Sequence, residues 1–276
     1  MVPMDIKRWL NQAAKKLSTA GIDSARLDVE ILLSASLYKP REYLLAHSDQ
    51  ELSDTEIVRV DKWLHRRIKR EPIAYIVEHK EFYGRDFIVS PNVLIPRPES
   101  ELIIEVVKQH SLNGRVLDVG CGSGCLGLSI KAEIPSIELT LSDISPSALD
   151  VARKNAKKLG IKPVRYIVSD LLGHWLGHNK PKPFNLIVAN LPYVDKSWEV
   201  SPETRFEPNI ALFSGDQGLD HINRLIRQAR SLVLPGGHLL LEADPRQHQN
   251  ITDYAKEHGF LLVSREGFIA LYTLRA

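Results

Sequence analysis

The chain has 276 residues, a formal net charge of +2 and a hydrophobic content of 43%. This composition is typical of a globular protein with a buried core, and the length predicts one large domain or two unequal ones. No stretch approaches the roughly 20 apolar residues of a membrane helix, which excludes a membrane-spanning class. The first residues also lack the apolar segment of a signal peptide. The near-neutral charge leaves the choice of partners open.

The two cysteines, Cys121 and Cys125, lie four positions apart in a glycine-rich stretch. Their spacing is not that of a CxxC motif, and no cluster of histidines and cysteines stands nearby to complete a metal site. We therefore expect no bound metal and unpaired thiols in a reducing environment. A cytoplasmic location follows from the same interpretation.

Residues 1–72 are predicted to form a small helical bundle. Apolar residues recur at helical spacing over 4–17 and 25–37, and residues 41–48 predict a shorter helix. Ser53 and Glu56 match a capping box at the start of a further helix, which Pro72 ends. The bundle is too small to carry chemistry by itself.

The run "KWLHRRIKR", from Lys62 to Arg70, concentrates basic residues on the last of these helices. Such a run could bind the phosphates of ribosomal RNA or an acidic protein surface. A solvated helix face is the simpler interpretation, and it is the one favoured here.

Residues 73–97 are predicted to form a linking β-hairpin, because aromatic and β-branched residues are interrupted by Gly84, Pro91 and Asn92. Over residues 98–276 strands and helices alternate, which predicts an α/β domain with a mostly parallel sheet. The predicted strands are RVLDVG, IELTLSD, VRYIVSD, FNLIVAN, HLLLEAD, LLVS and IALYTL. The predicted helices begin near Pro98, Cys125, Ser145, Leu219 and Pro245. Since only "REG" joins the last two strands, that pair is predicted to be antiparallel.

The segment "DVGCGSGCLG" follows the first strand of this domain and opens a helix. Gly120, Gly122 and Gly124 permit unusual backbone dihedrals and a close approach of a ligand to the main chain. The spacing of Gly122, Gly124 and Gly127, with Asp143 about 20 residues on, also satisfies the dinucleotide fingerprint. The loop alone therefore cannot separate a nicotinamide cofactor from S-adenosylmethionine.

Acidic residues around the loop favour S-adenosylmethionine. Asp118 precedes the first glycine by two positions, Asp143 ends the second strand and Asp170 ends the third. In an α/β sheet these strand ends share one edge, where ligands bind. Asp143 could accept both ribose hydroxyls and Asp170 could face the adenine ring, whereas a pyrophosphate would be repelled by so many carboxylates.

The fourth strand ends in Asn190-Leu191-Pro192-Tyr193. The side-chain oxygen of Asn190 and the carbonyl oxygen of Leu191 could accept both hydrogens of a planar NH2 group and aim its lone pair at a methyl donor. Pro192 restricts the backbone of Leu191, and Tyr193 offers a flat face for stacking. This pattern predicts methylation of an amide or exocyclic amino nitrogen, without a metal or a covalent intermediate.

With these motifs in place, the chain resembles the bacterial glutamine-N5 methyltransferases that act on peptide-chain release factors. The resemblance covers nearly the whole length. It is carried by the segments REYLLAH, EFYGRDFIVSPNVLIPRPESE, VLDVGCGSG, DISPSAL, LIVANLPYV, RFEPNIALFSGDQGLD and LPGGHLLLE. It implies a class I S-adenosylmethionine-dependent methyltransferase fold, Rossmann-like, with a seven-stranded sheet whose last strand is antiparallel.

The family scheme implies a cofactor site and a substrate site. The cofactor would be held by Gly120, Cys121, Gly122, Ser123, Gly124, Asp143, Asp170, Leu171 and Asn190. The glutamine side chain would be held by Asn190, Leu191, Pro192 and Tyr193, with Asn190 and Tyr193 as the catalytic residues. Arg97 could orient the substrate loop or be a turn residue that pairs with nearby acids, and Glu207 and Pro208 could close the pocket or belong to a packed loop. The resemblance also implies a GGQ loop of a class I release factor as substrate and suggests docking by the N-terminal helices. We expect a monomer.

Four departures from the family pattern are visible. Leu191 stands where the family usually has proline, and Leu171 stands where an aromatic residue is common. "EADPRQ" replaces a glutamate-x-glycine pattern, and "REGFIALYTLRA" lacks the usual aspartate-glycine-arginine pattern. Alternative functions therefore stay open: a glutamine methyltransferase of a ribosomal protein, an N6-adenine or N2-guanine nucleic-acid methyltransferase, a non-catalytic cofactor-binding adaptor, and, more remotely, a nicotinamide dehydrogenase.

Overall fold

The computed structural model describes residues 4–177, 181–215 and 217–275. It divides into two compact units, one formed by the chain up to Glu78 with Ser201–Phe206, the other by His79–Val200 and the chain from Glu207. The first unit is therefore discontinuous in sequence. The expected division at 1–72, 73–97 and 98–276 remains a proposal. The compact units differ from it by taking residues 79–97 into the second unit and 201–206 into the first.

The first unit is helical. Its helices are α1 (Ile6–Thr19), α2 (Ala25–Leu37), α3 (Arg41–Ala46), α4 (Asp54–Ile68) and α5 (Ile73–Val77). The predicted capping box is present at the start of α4, where the Glu56 carboxylate accepts the Ser53 N–H at 2.8 Å. The apolar faces of α1, α2 and α4 meet in one core that includes Leu10, Leu32 and Leu64. This packing stabilises helices that would be marginal in isolation.

Two arginines of the basic run on α4 form pairs inside this unit. The Arg67 side chain is only 7% exposed, and its Nε donates to Asp28 at 2.6 Å while Nη1 donates to Glu203 at 3.0 Å. Arg66 donates two hydrogen bonds to the carboxylate of Glu71. The interpretation of the run as a solvated face is thus wrong for Arg67, because a buried acid on α2 takes its charge.

The second unit begins with a β-hairpin of β1 (His79–Phe82) and β2 (Arg85–Ile88), which turns at Gly84. Its seven-stranded sheet comprises β3 (Arg115–Val119), β4 (Glu138–Asp143), β5 (Val164–Val168), β6 (Phe184–Ala189), β7 (Val233–Glu242), β8 (Phe260–Glu266) and β9 (Ile269–Leu274). The strand order is β5-β4-β3-β6-β7-β9-β8, and β9 alone runs antiparallel to its neighbours. The predicted sheet, with its antiparallel last strand, is confirmed.

The central strands are apolar on both faces because both faces are covered. Leu117 and Ile187 belong to one hydrophobic cluster, whereas their chain neighbours Val116 and Leu186 belong to the cluster on the opposite face. The covering helices are α6 (Leu102–Gln109), α7 (Cys125–Glu133), α8 (Pro146–Lys158), α9 (Gly173–Leu176), α10 (Asp220–Ala229) and α11 (His248–Glu257). A strand buried on both faces needs continuous rather than alternating apolar residues.

Two elements differ from the sequence prediction. The region 73–97 opens with the short helix α5, so the hairpin occupies only its middle part. Strand β7 begins at Val233 rather than His238, because the stretch through Gly236 pairs with β6 across a register shift. A glycine with φ of +74° is not what strand propensity selects, so the sequence pattern hid this extension.

The strand order fixes where a ligand can bind. The chain runs outward through β3, β4 and β5, and then returns to the other side of β3 with β6. The carboxyl ends of β3 and β6 therefore border the point where the strand order reverses. Such a point leaves a crevice in an open α/β sheet, and ligands bind there.

Candidate active site

A cavity of about 290 Å³ lies at the carboxyl ends of the central strands. Its walls bring together most of the predicted site residues, namely Arg97, Gly120, Cys121, Gly122, Ser123, Asp143, Asp170, Leu171, Asn190, Leu191 and Pro192. Two predicted residues, Gly124 and Tyr193, do not line it. Gly124 is the N-cap of α7, with φ of +79°, and it packs against Leu128 and Ala152.

The glycine loop needs glycine for two separate reasons. At Gly120, φ is +69°, and a Cβ there would come within 3.0 Å of the Leu191 side chain. At Gly127, in the first turn of α7, a Cβ would meet the Asp118 carboxylate at 3.0 Å. The first glycine therefore lets the Asn-Leu-Pro-Tyr segment approach the loop, and the second lets α7 approach β3.

Asp143 organises the loop through the backbone. Its Oδ2 accepts the Gly122 N–H at 2.9 Å and its Oδ1 accepts the Ser145 N–H at 2.8 Å. Burial raises the pKa of Asp143, and these two hydrogen bonds act in the opposite direction. Each carboxylate oxygen retains a lone pair, so the group can still accept hydroxyl donors from a ligand.

Asp118 lies deeper and is fully buried. Its Oδ2 accepts the Gly127 N–H at 2.9 Å, whereas none of the described residues forms a hydrogen bond with its Oδ1. Burial raises the pKa of Asp118 to about 7; the hydrogen bond from Gly127 opposes the rise and the nearby charge of Asp143 adds to it. A buried acceptor without a partner is uncommon and suggests that a donor completes it when a ligand is bound.

At the end of the third strand, Asp170 was predicted to face an adenine ring, and the structure shows another contact for its carboxylate. The Asp170 carboxylate is mostly exposed and pairs with Arg224 of α10. The next residue, Leu171, is buried, has φ of +47° and lines the cavity. Its carbonyl accepts the Ser169 hydroxyl at 2.8 Å, which holds this unusual backbone in place.

Side chains from distant segments surround Asn190. Its Nδ2 donates to the Ser100 hydroxyl oxygen at 3.0 Å, and that hydroxyl donates to Glu242 Oε2 at 2.5 Å. The Tyr193 hydroxyl donates to the other oxygen of Glu242 at 3.3 Å. Tyr193 therefore stands in a hydrogen-bonded network with the wall of the cavity, and the prediction that it stacks on the substrate remains a prediction.

The backbone after Asn190 is held from the opposite side. Gln247 Nε2 donates to the Tyr193 carbonyl and to the Gln217 carbonyl, both at 2.8 Å. Gly218, with φ of +71°, packs so tightly that a Cβ there would overlap the Tyr193 carbonyl oxygen. Because Tyr193 is fixed from both sides, the path of Leu191 and Pro192 is also fixed.

The cavity rim is formed by residues 91–97 and by a segment that includes Pro208, Ile210 and Ala211. Arg97 Nη2 donates to Glu207 Oε1 at 2.6 Å, and the Ile95 N–H donates to Glu207 Oε2 at 3.2 Å. Glu207 is buried, so it acts by tying the two rim segments together rather than by facing the cavity. Arg97 remains 37% exposed and lines the cavity.

The two thiols do not form a reactive or metal-binding pair. Burial raises the pKa of Cys121 well above its usual range and that of Cys125 to about 12, so both stay neutral. Among the described residues there is no group of His, Cys, Asp and Glu that could hold a metal ion. None of the described helices combines the length and apolar character that a bilayer-spanning segment requires.

The lining suits an adenosyl ligand better than a dinucleotide. Two carboxylates, Asp143 and Asp170, line the cavity, and the fully buried Asp118 stands behind it. Among the described residues, Arg97 is the one lysine or arginine that lines the cavity. A pyrophosphate would meet these acids at close range, whereas ribose hydroxyls and an ammonium group are donors that carboxylates accept.

Two family models match the chain. The model described as the PrmC N-terminal domain matches residues 8–77, and the one described as the methyltransferase small domain matches residues 98–204. The first match lies in the helical unit. The second covers β3 to β6 and therefore the glycine loop and Asn190.

Curated relatives align along most of the chain. The release factor glutamine methyltransferase of Koribacter versatilis is 41% identical over 91% of this chain and 92% of its own length. The one of Deinococcus radiodurans is 34% identical over 96% of this chain and 98% of its own length. The bifunctional methyltransferase of Rickettsia bellii is 35% identical, and the chain spans about half, 51%, of that protein.

Solved structures share the fold at low sequence identity. A methyltransferase from Pyrococcus furiosus superposes with a TM-score of 0.52 at 16% identity, covering 81% of this chain and 100% of that one. The 16S rRNA N2 G1207 methyltransferase of T. thermophilus, solved with AdoMet and guanosine, gives a TM-score of 0.52 at 17% identity, covering 72% and 50%. These likenesses confirm the predicted class of S-adenosylmethionine-dependent methyltransferase fold.

Proposed function

This chain belongs to the family of release factor glutamine methyltransferases, and we propose that it methylates the side-chain nitrogen of a glutamine in a class I peptide-chain release factor. The methyl donor is S-adenosylmethionine, and the glutamine is that of the GGQ motif. The observation that carries the proposal is the fixed carboxamide of Asn190 at the cavity wall, held through its nitrogen by Ser100.

The geometry of Asn190 suits an amide substrate. Because Nδ2 donates to Ser100, Oδ1 is the atom left to accept a hydrogen from a substrate NH2 group. The Leu191 carbonyl is a second acceptor for the other hydrogen. An amide nitrogen is a weak nucleophile, since its lone pair is delocalised, so holding both N–H groups from one side favours attack by orientation.

The chain's own residues supply binding and orientation. Bound S-adenosylmethionine supplies an electrophilic methyl group on a sulfonium centre. Asn190 Oδ1 and the Leu191 carbonyl would hold the glutamine nitrogen facing that methyl group, and the proton that the nitrogen loses on methylation would pass to water. Asp143 would accept ribose hydroxyls, the loop from Gly120 to Gly124 would approach the methionine part, and Leu171 would pack on the adenine.

The rim supports a peptide loop as the substrate. Pro91, Pro208 and Ile210 line the cavity with apolar surface that is not fully buried, and Ile210 is 59% exposed. Apolar walls with few charges suit the backbone of a glycine-rich loop better than phosphates. We further propose that the enzyme acts as a cytoplasmic monomer, that Arg97 helps to orient the loop, and that the N-terminal helices contribute to docking.

The proposal is tested by incubating the protein with labelled S-adenosylmethionine and a purified class I release factor. We expect one methyl group on the glutamine of the GGQ motif, located by mass spectrometry of the digested product. A release factor with that glutamine changed to alanine is the matched control and should take up no label. Label on a ribosomal-protein glutamine or on nucleic acid, with none on the release factor, would contradict the proposal.

A further inference from the structure

We propose that Ser100 and Glu242 form a directional hydrogen-bond relay that sets which end of the Asn190 carboxamide faces the substrate. The proposal deepens the function above and rests on it. Ser100 lies in the turn Pro98–Glu101 and Glu242 is the last residue of β7, so neither belongs to the Asn-Leu-Pro-Tyr segment. Both act through Asn190 and are positioning residues.

The direction of the relay follows from proton counting at Ser100. A serine hydroxyl has one proton to donate, and at Ser100 it goes to Glu242 Oε2 at 2.5 Å. The same oxygen can then only accept from Asn190, at 3.0 Å. An amide offers donors only at its nitrogen, so Nδ2 must face Ser100 and Oδ1 must point elsewhere. Without this constraint the two ends of an asparagine side chain are nearly alike in shape.

Glu242 is built to act as an acceptor at both oxygens. It is 1% exposed and accepts from Ser100 at Oε2 and from Tyr193 at Oε1. The described residues place no lysine or arginine in an ion pair with it, and the nearby charge of Glu99 disfavours its ionised form. A buried carboxylate without a cation is costly, and two hydroxyl donors only partly offset that cost. Replacing buried ionic groups by packed apolar residues is often neutral or stabilising, so a buried carboxylate here argues for a role beyond packing.

Protonation of Glu242 would reverse the direction of the relay. Burial raises the pKa of Glu242 to about 7, the hydrogen bonds from Ser100 and Tyr193 oppose the rise, and Glu99 adds to it. If Glu242 carried a proton on Oε2, it would donate to Ser100, and Ser100 would in turn donate to the oxygen of Asn190. The amide would then present NH2 to the substrate, and a substrate NH2 group cannot accept that bond through its delocalised nitrogen.

The test reverses the relay by paired substitutions. In N190D, the Ser100 hydroxyl lies between two carboxylates and has only one proton to donate. We therefore expect kcat to fall on the order of 100-fold. In N190D/E242Q, the new amide can donate to Ser100, Ser100 can donate to Asp at position 190, and a carboxylate oxygen again faces the substrate. We expect this double variant to recover at least about tenfold in kcat over N190D, because acceptor geometry is restored.

A second pair of variants does not depend on that rescue. S100A removes the relay and should lower kcat about tenfold or more, with KM for S-adenosylmethionine within about twofold. S129A is the matched control, because Ser129 is a buried serine of α7 whose hydroxyl has no hydrogen-bond partner within the described part of the chain, and it should retain wild-type kcat. Circular dichroism confirms that each variant is folded.

The outcomes separate the two proposals. If the wild-type protein methylates glutamine but S100A matches S129A, or N190D/E242Q is no better than N190D, the relay is wrong while the proposed function stands. If the double variant does not fold, the comparison of S100A with S129A decides alone. If the wild-type protein methylates no glutamine, the proposed function fails and the relay fails with it.

Discussion

The two ends of the cavity are built in different ways. At the cofactor end, Asp118 and Asp143 hold backbone N–H groups of the loop and helix that follow β3 and of the turn after β4. At the amide end, Asn190, Ser100, Tyr193 and Glu242 bond side chain to side chain, across separations of 90, 142 and 49 residues. Asp118, Asp143 and Glu242 are all buried, but the two aspartates bind backbone N–H groups whereas Glu242 binds side-chain hydroxyls.

This difference predicts different responses to substitution. Backbone N–H groups stay in place when a neighbouring side chain changes, so the cofactor end should lose affinity in proportion to the contact removed. The amide end fixes an orientation through a chain of side chains, so one missing member should affect the rate more than binding. The predictions below test this contrast in order of expected effect.

The largest effect is expected at Asn190. We expect N190A to lower kcat on the order of 100-fold or more, because the acceptor that orients the substrate nitrogen is lost. Affinity for the release factor should change little, since most of that interface lies outside one side chain. Steady-state kinetics with a release factor and thermal unfolding of the variant measure both. A near-normal rate for N190A would show that the amide end does not act by orientation.

The next effect is expected at Asp143. We expect D143A to weaken S-adenosylmethionine binding about 10- to 100-fold, roughly 1.4–2.8 kcal/mol, because ligand contacts are lost and the N–H groups of Gly122 and Ser145 lose their acceptor. Isothermal titration calorimetry measures the affinity. D150A is a matched control, because Asp150 is an exposed acid on α8 that pairs with Arg153 alone. Equal affinities for the two variants would remove Asp143 from the cofactor site.

An intermediate effect is expected at Gly218. A methyl group at this position overlaps the Tyr193 carbonyl and is strained at φ of +71°, so we expect G218A to lose about 1–3 kcal/mol of stability and about tenfold in kcat. Gly160 also has positive φ but meets no atom within 4 Å, so G160A carries the strain without the overlap. If G160A and G218A have the same kcat, the fixed path through Tyr193 does not matter for the rate.

The smallest effect is a pH dependence of stability. Burial raises the pKa of both Asp118 and Glu242 to about 7, so the folded chain holds their protons more tightly than the unfolded chain. Their protonation therefore adds stability that is fully present below the unfolded pKa values and is lost as the pH rises through 7. We expect the melting temperature without ligand to fall by a few degrees between pH 5.5 and 8.

The variant E242Q provides the check on this slope. Glutamine has no proton to lose, so the part of the slope that belongs to Glu242 should disappear and the melting temperature should depend less on pH. An unchanged slope would mean that Glu242 keeps an ordinary pKa in the folded protein. A rising melting temperature over this range in the wild type would contradict the burial argument for both acids.

The sequence identified more of the residues at the proposed cofactor end of the cavity than of those at the amide end, and their roles stay predictions. Strand ends, glycine spacing and acids are local patterns, and the structure places Asp143 and the glycine loop at the cavity as expected. Ser100 and Glu242 were missed because their roles depend on contacts between distant segments. One signal was available in the sequence. The apolar run "HLLLE" ends in an acid, Glu242, just as the earlier strand ends in Asp143. Acids at the carboxyl ends of parallel strands lie at the same edge of the sheet.

Other contacts could not be predicted for different physical reasons. That Asp170 faces the adenine ring stays a prediction; Asp170 lines the cavity, and the arginine that pairs with it comes from α10, more than fifty residues further along the chain. The basic run on α4 could not reveal that Arg67 turns toward Asp28, because helical spacing alone does not show which polar residue a neighbouring helix offers. Sequence patterns find elements and local loops; they do not find partners across the fold.

The discontinuity of the first unit bears on how this protein can be dissected. Ser201–Phe206 lies far downstream in sequence, yet its Glu203 is held by Arg67 and Arg70 of the helical unit. A truncated protein starting at His79 would therefore keep these six residues but would lose both arginines that bind Glu203. Transferring the helical unit onto another enzyme would require transferring Ser201–Phe206 as well. A transfer made at one junction alone would separate Glu203 from Arg67 and Arg70.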